Sequence, residues 1–198
     1  FLRKIGLGPL IRWQLHTLRQ WDQLSSTRID YLIANSNFTA KRIWKYWKRP
    51  AEVLHPPVNV SRFKWNKPRE DFYLSVCRLV PNKRVDLLVR AFNRLQLPLI
   101  IVGDGPEKAY LKDLAGPTVQ ILGFQSTEKI EDLMSQCRAF VYAGIEDFGI
   151  APVEAMASGA PVIAFGKGGV LDTVKCLNFN SEKEATGLLF PAQTVNSL

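Results

Sequence analysis

Short apolar runs alternate with stretches of helical periodicity between residues 72 and 165. In the segment 85–95, Leu88, Ala91 and Phe92 recur on one face of a helix. The strand-like runs cover 72–77, 99–102, 119–122, 140–143 and 162–165, and the helical segments between them cover 85–95, 107–114, 127–136 and 152–158. Thr127 is a suitable N-cap for the helix that runs to residue 136. Near-continuous apolar strands separated by helices are typical of a parallel sheet covered on both faces. The sequence therefore predicts an α/β fold with a doubly wound parallel sheet.

The first part of the chain lacks this regular alternation. Residues 31–34 are predicted to form a strand, and Ser36 or Asn37 is a suitable cap for a helix that runs to about Trp47. A further short strand is predicted at 53–54.

The best candidate for a linker is the segment 64–70, which contains Pro68 and shows no apolar periodicity. We therefore predict two regions, 1–66 and 67–198. Because the chain begins at Phe1 rather than at a methionine, we expect it to be a piece of a longer protein. With 46% hydrophobic residues, it has ample material for a packed core, which excludes a disordered chain.

Positive charge is concentrated in the first third of the chain. The full sequence has 26 Lys and Arg against 18 Asp and Glu, whereas residues 1–70 alone have 14 basic and 4 acidic residues. Within 41–49, basic residues are interspersed with Trp44, Tyr46 and Trp47. Such a segment can anchor at an anionic membrane surface, or it can be a solvated helix whose aromatic side chains pack inward. No nucleic-acid partner is predicted, because no nucleic-acid-binding motif accompanies the charge.

The cysteines and the apolar runs limit the setting of the protein. Cys77, Cys137 and Cys176 are far apart in the sequence, which favours reduced thiols and a cytoplasmic location. Cys77 lies in an apolar strand and is expected to be a core residue rather than a nucleophile. The longest apolar runs, such as 97–102, are too short to span a bilayer.

Polar or glycine-rich segments follow all five predicted strands. Ligands bind doubly wound sheets at the carboxyl ends of the strands. In strand order the segments contain Arg78 and Lys83, then residues 103–106, then Gly123 and Phe124, then residues 146–154, then residues 166–169. Each segment alone is an ordinary turn, but five at one edge of a sheet indicate a ligand site.

The segment after the fourth strand is the most informative of the five. Pro152 suits the first turn of a helix, where its missing N–H is not needed. The N–H groups of residues 148–151 then lie at the positive end of that helix, where anions bind. Glu146 and Glu154 flank this helix end. Taken alone, Glu154 could simply stabilise the helix dipole and Glu146 could be solvated.

Arg78 and Lys83 are the cations that could neutralise a diphosphate at this edge, Arg as a planar fork and Lys as a point charge. No metal is expected, because the chain contains no Asp-x-Asp pair and both histidines, His16 and His55, lie away from the predicted edge.

Two familiar phosphate-binding motifs are missing from the sequence. Residues 103–105 lack the third glycine of the dinucleotide fingerprint, and residues 166–168 lack the spacing and the Ser or Thr of a P-loop. The sequence therefore disfavours both hydride transfer and ATP hydrolysis.

Several motifs occur in an order that resembles the retaining glycosyltransferases of family four. The motifs are RLVPNK at 78–83, VGDGP at 102–106, EDFGIAPVEAMASGAPVIA at 146–164, Gly168-Gly169 and Thr186-Gly187. The resemblance extends from about Asp30 to the end of the chain. The segments IDYLIANSNFTAKRI at 29–43 and LHPPVNVSRF at 54–63 resemble the end of the family's first domain and its crossing to the second. Members of this family are GT-B enzymes with two Rossmann-like domains and an active site in the cleft between them. The resemblance implies that residues 1–66 are the end of the acceptor-side domain with the linker, and that residues 67–198 are the donor-binding domain.

The resemblance also implies roles for individual residues. Arg78 and Lys83 would hold the diphosphate of the donor, Glu154 would bind the ribose hydroxyls, and Glu146 would bind hydroxyls of the transferred sugar. The other implied donor-binding positions are Gly103, Gly123, Phe124, Gln125, Phe148, Gly149 and Ile150. Glu146, Arg78 and Lys83 are the implied catalytic residues. One departure is Asp172, where the family often has Glu.

The implied reaction moves a sugar from a nucleotide-diphosphate sugar to a glycan or polyprenyl-lipid-linked acceptor with retention of configuration. The donor would be a GDP- or UDP-sugar, with GDP-mannose favoured, and neither a metal nor another cofactor is expected. Retention would come from attack on the face of the leaving group rather than from a covalent intermediate on Glu146. Two alternatives remain open: a non-catalytic nucleotide-sugar binding module and a nucleotide-sugar epimerase.

The resemblance has consequences for this chain and its location. Because the acceptor site of the family lies largely in the first domain, we expect this fragment to bind the donor but to be inactive alone. The location implied is cytoplasmic, with peripheral contact to the inner face of a membrane through the basic first third.

Overall fold

The computed structural model of the chain describes residues 8–178 and 181–198. It divides into two compact units, Phe1–His55 and Pro56–Leu198. The first seven residues of the basic first third, including Arg3 and Lys4, lie outside the described residues. No helix in the described ranges is long and apolar enough to cross a membrane.

The first unit contains two helices and a small parallel sheet. Its elements are α1 (Gly8–Ser26), β1 (Ile33–Ala34), α2 (Asn37–Trp47) and β2 (Glu52–Val53). The predicted cap of α2 is present, since the Ser36 hydroxyl accepts a hydrogen bond of 3.0 Å from the backbone N–H of Thr39. The sequence analysis missed α1, because its apolar residues are not buried and its one buried residue is Ser26.

The second unit is a six-stranded parallel sheet flanked by helices, as predicted. Its strands are β3 (Tyr73–Val76), β4 (Leu99–Val102), β5 (Val119–Gly123), β6 (Ala139–Tyr142), β7 (Val162–Phe165) and β8 (Gly187–Phe190). Its helices are α3 (Val85–Leu95), α4 (Lys108–Leu114), α5 (Thr127–Gln136), α6 (Ile150–Ala157) and α7 (Val170–Thr173). The sequence analysis missed β8, a short edge strand that begins at a glycine, and it also missed α7.

The order of the strands creates one crevice in the sheet. The order is β5-β4-β3-β6-β7-β8, and every neighbouring pair is parallel. From β3 the chain builds outward in one direction through β4 and β5, and from β6 it builds in the other direction. Ligands of doubly wound sheets bind where the strand order reverses. The segments after β3 and β6 therefore flank the position where a ligand is expected.

Two apolar clusters cover the two faces of the sheet. On one face, Leu74 and Phe140 pack with Met134 of α5. On the other face, Ile101 and Val141 belong to a cluster that includes residues of α3 and α4. Burying a side chain of this size contributes roughly 1.5–3 kcal/mol to folding. The sheet is therefore fixed from both sides, which makes its carboxyl edge a rigid support for loops.

The first residues of the second unit pack against its own core. Phe63 is buried in the cluster that contains Met134 and Phe140. Arg69 donates to the backbone carbonyls of Met134, Cys137 and Ser158. The sequence-based boundary after residue 66 therefore lies later in the chain than the division at His55, because Phe63 supplies an apolar anchor before it.

Two helix starts differ from the sequence-based prediction. The cap of α5 is Ser126, whose hydroxyl accepts from the N–H of Lys129 at 3.3 Å, rather than Thr127. Helix α6 begins at Ile150, two residues before the predicted start, and Pro152 lies in its first turn as predicted.

Candidate active site

Backbone hydrogen bonds join the loops after β3, β4 and β5. The N–H of Gly103 donates to the carbonyl of Gly123 at 2.9 Å, and the N–H of Leu79 donates to the carbonyl of Asp104 at 2.9 Å. A Cβ at Gly103 would lie 1.8 Å from the carbonyl oxygen of Cys77, so a side chain does not fit there. Three of the five predicted loops therefore form one continuous surface.

The loops after β6 and β7 complete this edge. The N–H of Gly169 donates to the carbonyl of Glu146 at 2.8 Å. A Cβ at Gly169 would lie 2.3 Å from the Cα of Phe148, which excludes any larger residue. Across the crevice, a Cβ at Gly144 would lie 3.1 Å from the Cα of Lys83. The loops after β3 and β6 are thus in direct contact.

Lys83 and Glu146 form an ion pair at the point where the strand order reverses. The Lys83 ammonium donates to Oε1 of Glu146, and the hydroxyl of Tyr142 donates to the same oxygen. The side chains of Lys83 and Glu146 are 15% and 32% exposed, so a ligand can reach both. Oε2 of Glu146 is the oxygen left to accept a hydrogen bond from a ligand.

Tyr142 is a functional candidate that the sequence analysis missed. It is the last residue of β6 and is almost fully buried. Burial raises the pKa of its phenol far above the usual value, and the hydrogen bond to Glu146 raises it further. The phenol therefore stays protonated and keeps donating to Glu146. The sequence did hold a signal for Tyr142, because its hydroxyl is a polar group near the carboxyl end of an apolar strand, at the edge where ligands bind.

Cys77 lies next to this pair but is not activated by it. Burial raises the pKa of its thiol to about 11, although the nearby charge of Lys83 acts in the opposite direction. At neutral pH the thiol is therefore protonated, which suits packing rather than nucleophilic attack. Cys77 and the buried Cys137 are free thiols, and burial raises the pKa of Cys137 to about 11 as well.

Glu154 belongs to a second charged cluster. Nη2 of Arg62 lies 2.8 Å from Oε1 of Glu154, and Nε of Arg62 lies 3.2 Å from Oε1 of Glu131 in α5. Burial raises the pKa of Glu154, Arg62 lowers it, and the like charge of Glu131 raises it. Arg62 was not among the predicted site residues, although it lies within the segment that resembles the family's crossing between domains.

The remaining predicted residues lie in the edge loops. Arg78 is exposed and forms no ion pair or side-chain hydrogen bond within residues 8–178 and 181–198. Phe124 is 82% exposed, and the Gln125 amide donates to the carbonyl of Leu122 at 3.2 Å. Gly149, with φ 92°, precedes Ile150 at the start of α6.

The arrangement can bind an extended anionic ligand with hydroxyl groups. It offers a paired and an unpaired cation, the amino end of α6, and two carboxylates that can each accept from hydroxyls. In the part of the chain that the structure describes, no group of three or more His, Cys, Asp or Glu residues is placed to hold a metal ion.

Comparison with known proteins identifies the class that this fold and edge define. The family "Glycosyl transferases group 1" matches residues 58–198, most of the chain. The chain therefore belongs to the group 1 glycosyl transferases. This confirms the family resemblance stated from the sequence motifs.

Individual relatives are similar over part of their length. The chain is 27% identical over 228 residues to Alpha-1,3/1,6-mannosyltransferase ALG2 of Saccharomyces cerevisiae, covering 86% of this chain and 45% of that protein. It is 34% identical over 133 residues to a GDP-mannose-dependent alpha-mannosyltransferase of Mycobacterium tuberculosis, covering 67% of this chain and 33% of that protein. The chain thus spans half or less of the length of these two relatives.

Solved structures confirm the fold. Anabaena HepE in complex with UDP and glucose superposes with a TM-score of 0.76 at 24% identity, covering 91% of this chain and 55% of that one. TarM superposes with a TM-score of 0.74 at 19% identity, covering 89% of this chain and 36% of that one. At these identities the likeness establishes the α/β architecture alone.

We expect Tyr142→Phe to lower the free energy of unfolding by about 1.5–3 kcal/mol, because it removes a buried hydrogen bond to a charged acceptor. Urea denaturation followed by circular dichroism measures this. Tyr110→Phe is the matched control, since its hydroxyl bonds Arg90 at 3.1 Å on the surface. Equal losses in the two variants would show that the Tyr142–Glu146 bond contributes nothing special.

Proposed function

We propose that the whole protein transfers a mannosyl group from GDP-mannose to a glycan or polyprenyl-lipid-linked acceptor, with retention and without a metal. The observation that carries this proposal is the Lys83–Glu146 pair at the reversal of strand order, in a chain of this family. The mannosyltransferase relatives support mannose, and the GDP-mannose-dependent relative supports GDP.

A UDP-sugar is the second candidate donor. Anabaena HepE has been crystallised with UDP-glucose, and it superposes on 73% of this chain with a TM-score of 0.64 at 26% identity. The two donors share a diphosphate and a ribose and differ in the base. The loop at Gly123, Phe124 and Gln125 is where we place the base, so this loop would decide between them.

The diphosphate would bind between Lys83, Arg78 and the amino end of α6. Lys83 exchanges its bond to Glu146 for a phosphate oxygen, and the exposed Arg78 adds a second cation. Tyr142 meanwhile keeps Glu146 in place, so that Oε2 accepts from a hydroxyl of the transferred sugar. The fixed positive groups stabilise the negative charge that develops on the leaving group, which supports transfer without a metal.

Retention follows from attack on the same face as the leaving group. The acceptor oxygen bonds to the anomeric carbon as the bond to the phosphate oxygen breaks, and the leaving phosphate takes the acceptor's proton. Glu146 does not attack, because Tyr142 still donates to its Oε1 and a sugar hydroxyl donates to its Oε2, so that neither oxygen is aimed at the anomeric carbon. This is the interpretation we favour over a covalent intermediate on Glu146.

The acceptor would meet the protein on its first unit. Trp13, Trp21 and Trp44 are 62%, 67% and 55% exposed there, among the basic residues of α1 and α2. Exposed tryptophans with basic neighbours favour contact with an anionic membrane surface. A cytoplasmic protein that touches the inner face of a membrane in this way would reach a lipid-linked acceptor.

Since this chain covers half or less of the length of its mannosyltransferase relatives, we propose that it binds the donor but is inactive alone.

We expect Lys83→Met to weaken binding of GDP-mannose to the chain by about 10- to 100-fold, because one charge-assisted bond to the diphosphate is lost. Calorimetric titration with GDP-mannose and UDP-glucose measures this and ranks the two donors. Lys175→Met is the control, since Lys175 is exposed and lies beside the amino end of β8, where its carbonyl accepts from the N–H of Thr186 at 2.8 Å. Equal affinities in the two variants would contradict the placement of the diphosphate, and tighter binding of UDP-glucose would reverse the choice of donor.

We expect no glycosyl adduct on Glu146 when the full-length protein turns over the donor. We also expect the product to keep the anomeric configuration of the donor. Intact-protein mass spectrometry and NMR of the product check the two statements. Glu146→Gln should lower kcat and leave the configuration unchanged. A trapped sugar on Glu146 of the unaltered protein would establish the covalent route instead, and release of free sugar or an epimer would indicate an epimerase.

A further inference from the structure

Arg62 contacts three side chains in the second charged cluster of the candidate site, those of Glu154, Glu131 and Phe63. It ends a 3-10 turn, Val60–Arg62, in the segment that leads into the sheet. Its guanidinium bonds Glu154 at 2.8 Å and Glu131 at 3.2 Å, and its Cζ lies 4.6 Å from the ring centre of Phe63. Contacts on three sides fix the guanidinium more firmly than an ordinary surface ion pair would.

The position of Arg62 is itself anchored. Phe63 is buried in the core cluster that also contains Leu133 of α5 and Ala155 of α6. The backbone of Arg62 is therefore fixed relative to both helices that carry its partners. Arg62 reaches Glu154 across 92 residues of sequence, so this contact exists only in the folded chain.

Among the charges around Glu154, Arg62 is the one that lowers the pKa of this carboxyl. The side chains of Glu154 and Glu131 are 20% and 26% exposed, and both carry negative charge near the same guanidinium. Burial and Glu131 both raise the pKa of Glu154, and Arg62 opposes them. Lys67 lines the same pocket as Arg62 and Glu131, but its ammonium pairs with Asp132 and not with Glu154. Removing Arg62 would leave Glu154 facing a like charge.

The geometry of the bond also orients the carboxylate. Arg62 Nη2 occupies Oε1 of Glu154, and Oε2 is the oxygen left for a ligand. We infer that Arg62 is a positioning residue, which holds the Glu154 carboxylate oriented so that it accepts hydrogen bonds from the ribose hydroxyls of the donor. This inference rests on the proposed function, because it assumes that Glu154 faces a ribose.

The test compares nucleotides with and without ribose hydroxyls. Calorimetric titration of the chain with GDP and with 2′,3′-dideoxy-GDP gives a preference ratio for the hydroxyls. We expect a ratio of about tenfold or more in the unaltered chain, since a carboxylate that loses its hydroxyl partners costs at least about one decade. Arg62→Ala should lower the ratio by about two- to fivefold while leaving it above one, because GDP alone binds more weakly. Arg62→Lys should restore part of the ratio.

Two further variants separate positioning from a general effect on folding. Glu154→Gln should reduce the ratio as Arg62→Ala does, and the double variant should lose no more than either single one. Lys67→Ala is the control, because it breaks an ion pair in the same cleft that does not involve Glu154. It should leave the ratio unchanged.

The pH dependence of the ribose preference separates positioning from a merely structural role of Arg62, because a structural role would not change the pH at which the preference is half lost. The preference for ribose falls as the pH drops and Glu154 becomes protonated. Without Arg62, burial and Glu131 act unopposed on the pKa of Glu154, so in Arg62→Ala the preference should fall at a higher pH. Adding Glu131→Gln to that variant should move the midpoint back down.

The possible outcomes are distinct. If the unaltered chain binds neither nucleotide, the proposed function fails, and the inference fails with it. If it prefers ribose but Arg62→Ala and Arg62→Lys keep the same ratio and midpoint, the proposed function stands and the inference is wrong. Tighter GDP binding by Arg62→Ala would also overturn it, because Arg62 would then compete with the ribose. If Arg62→Ala does not fold, Arg62→Lys and Glu131→Gln still report the shift of the midpoint.

Discussion

The reversal of strand order between β3 and β6 is the constraint on which the site depends. Because the two strands are neighbours and parallel, the residues that follow them meet at one edge although they are far apart in sequence. Lys83 and Glu146 are 63 residues apart and form an ion pair there. The two apolar clusters hold the sheet rigid, so the loops above it keep a fixed spacing.

Each carboxylate of the Glu146–Glu154 motif is matched with its own cation. Lys83 pairs with Glu146 and Arg62 pairs with Glu154, while Arg78 remains exposed. Without ligand the site is therefore largely neutralised internally. A diphosphate would replace a carboxylate as the partner of Lys83, and the freed carboxylate would then serve the sugar. Binding on this account is an exchange of partners rather than the filling of an uncompensated positive pocket.

The sequence predicted the features that local patterns determine. Strands β3 to β7 were predicted from apolar runs. The candidate site was predicted at the carboxyl edge of the sheet, because glycines and charged residues come directly after each of these runs. Tyr142 and Arg62 could not be assigned in this way, because their importance comes from contacts with residues brought near by folding. The Arg62–Glu154 contact in particular depends on the anchoring of Phe63. Helix α1 escaped prediction for a different reason, since it buries no apolar face.

The most direct test of this account is a crystal structure of the chain with GDP-mannose bound. The account predicts that the diphosphate lies within hydrogen-bonding distance of Lys83 and Arg78, with Glu146 released to the sugar and Glu154 on the ribose. An intact Lys83–Glu146 pair, with the nucleotide bound elsewhere on the chain, would contradict it.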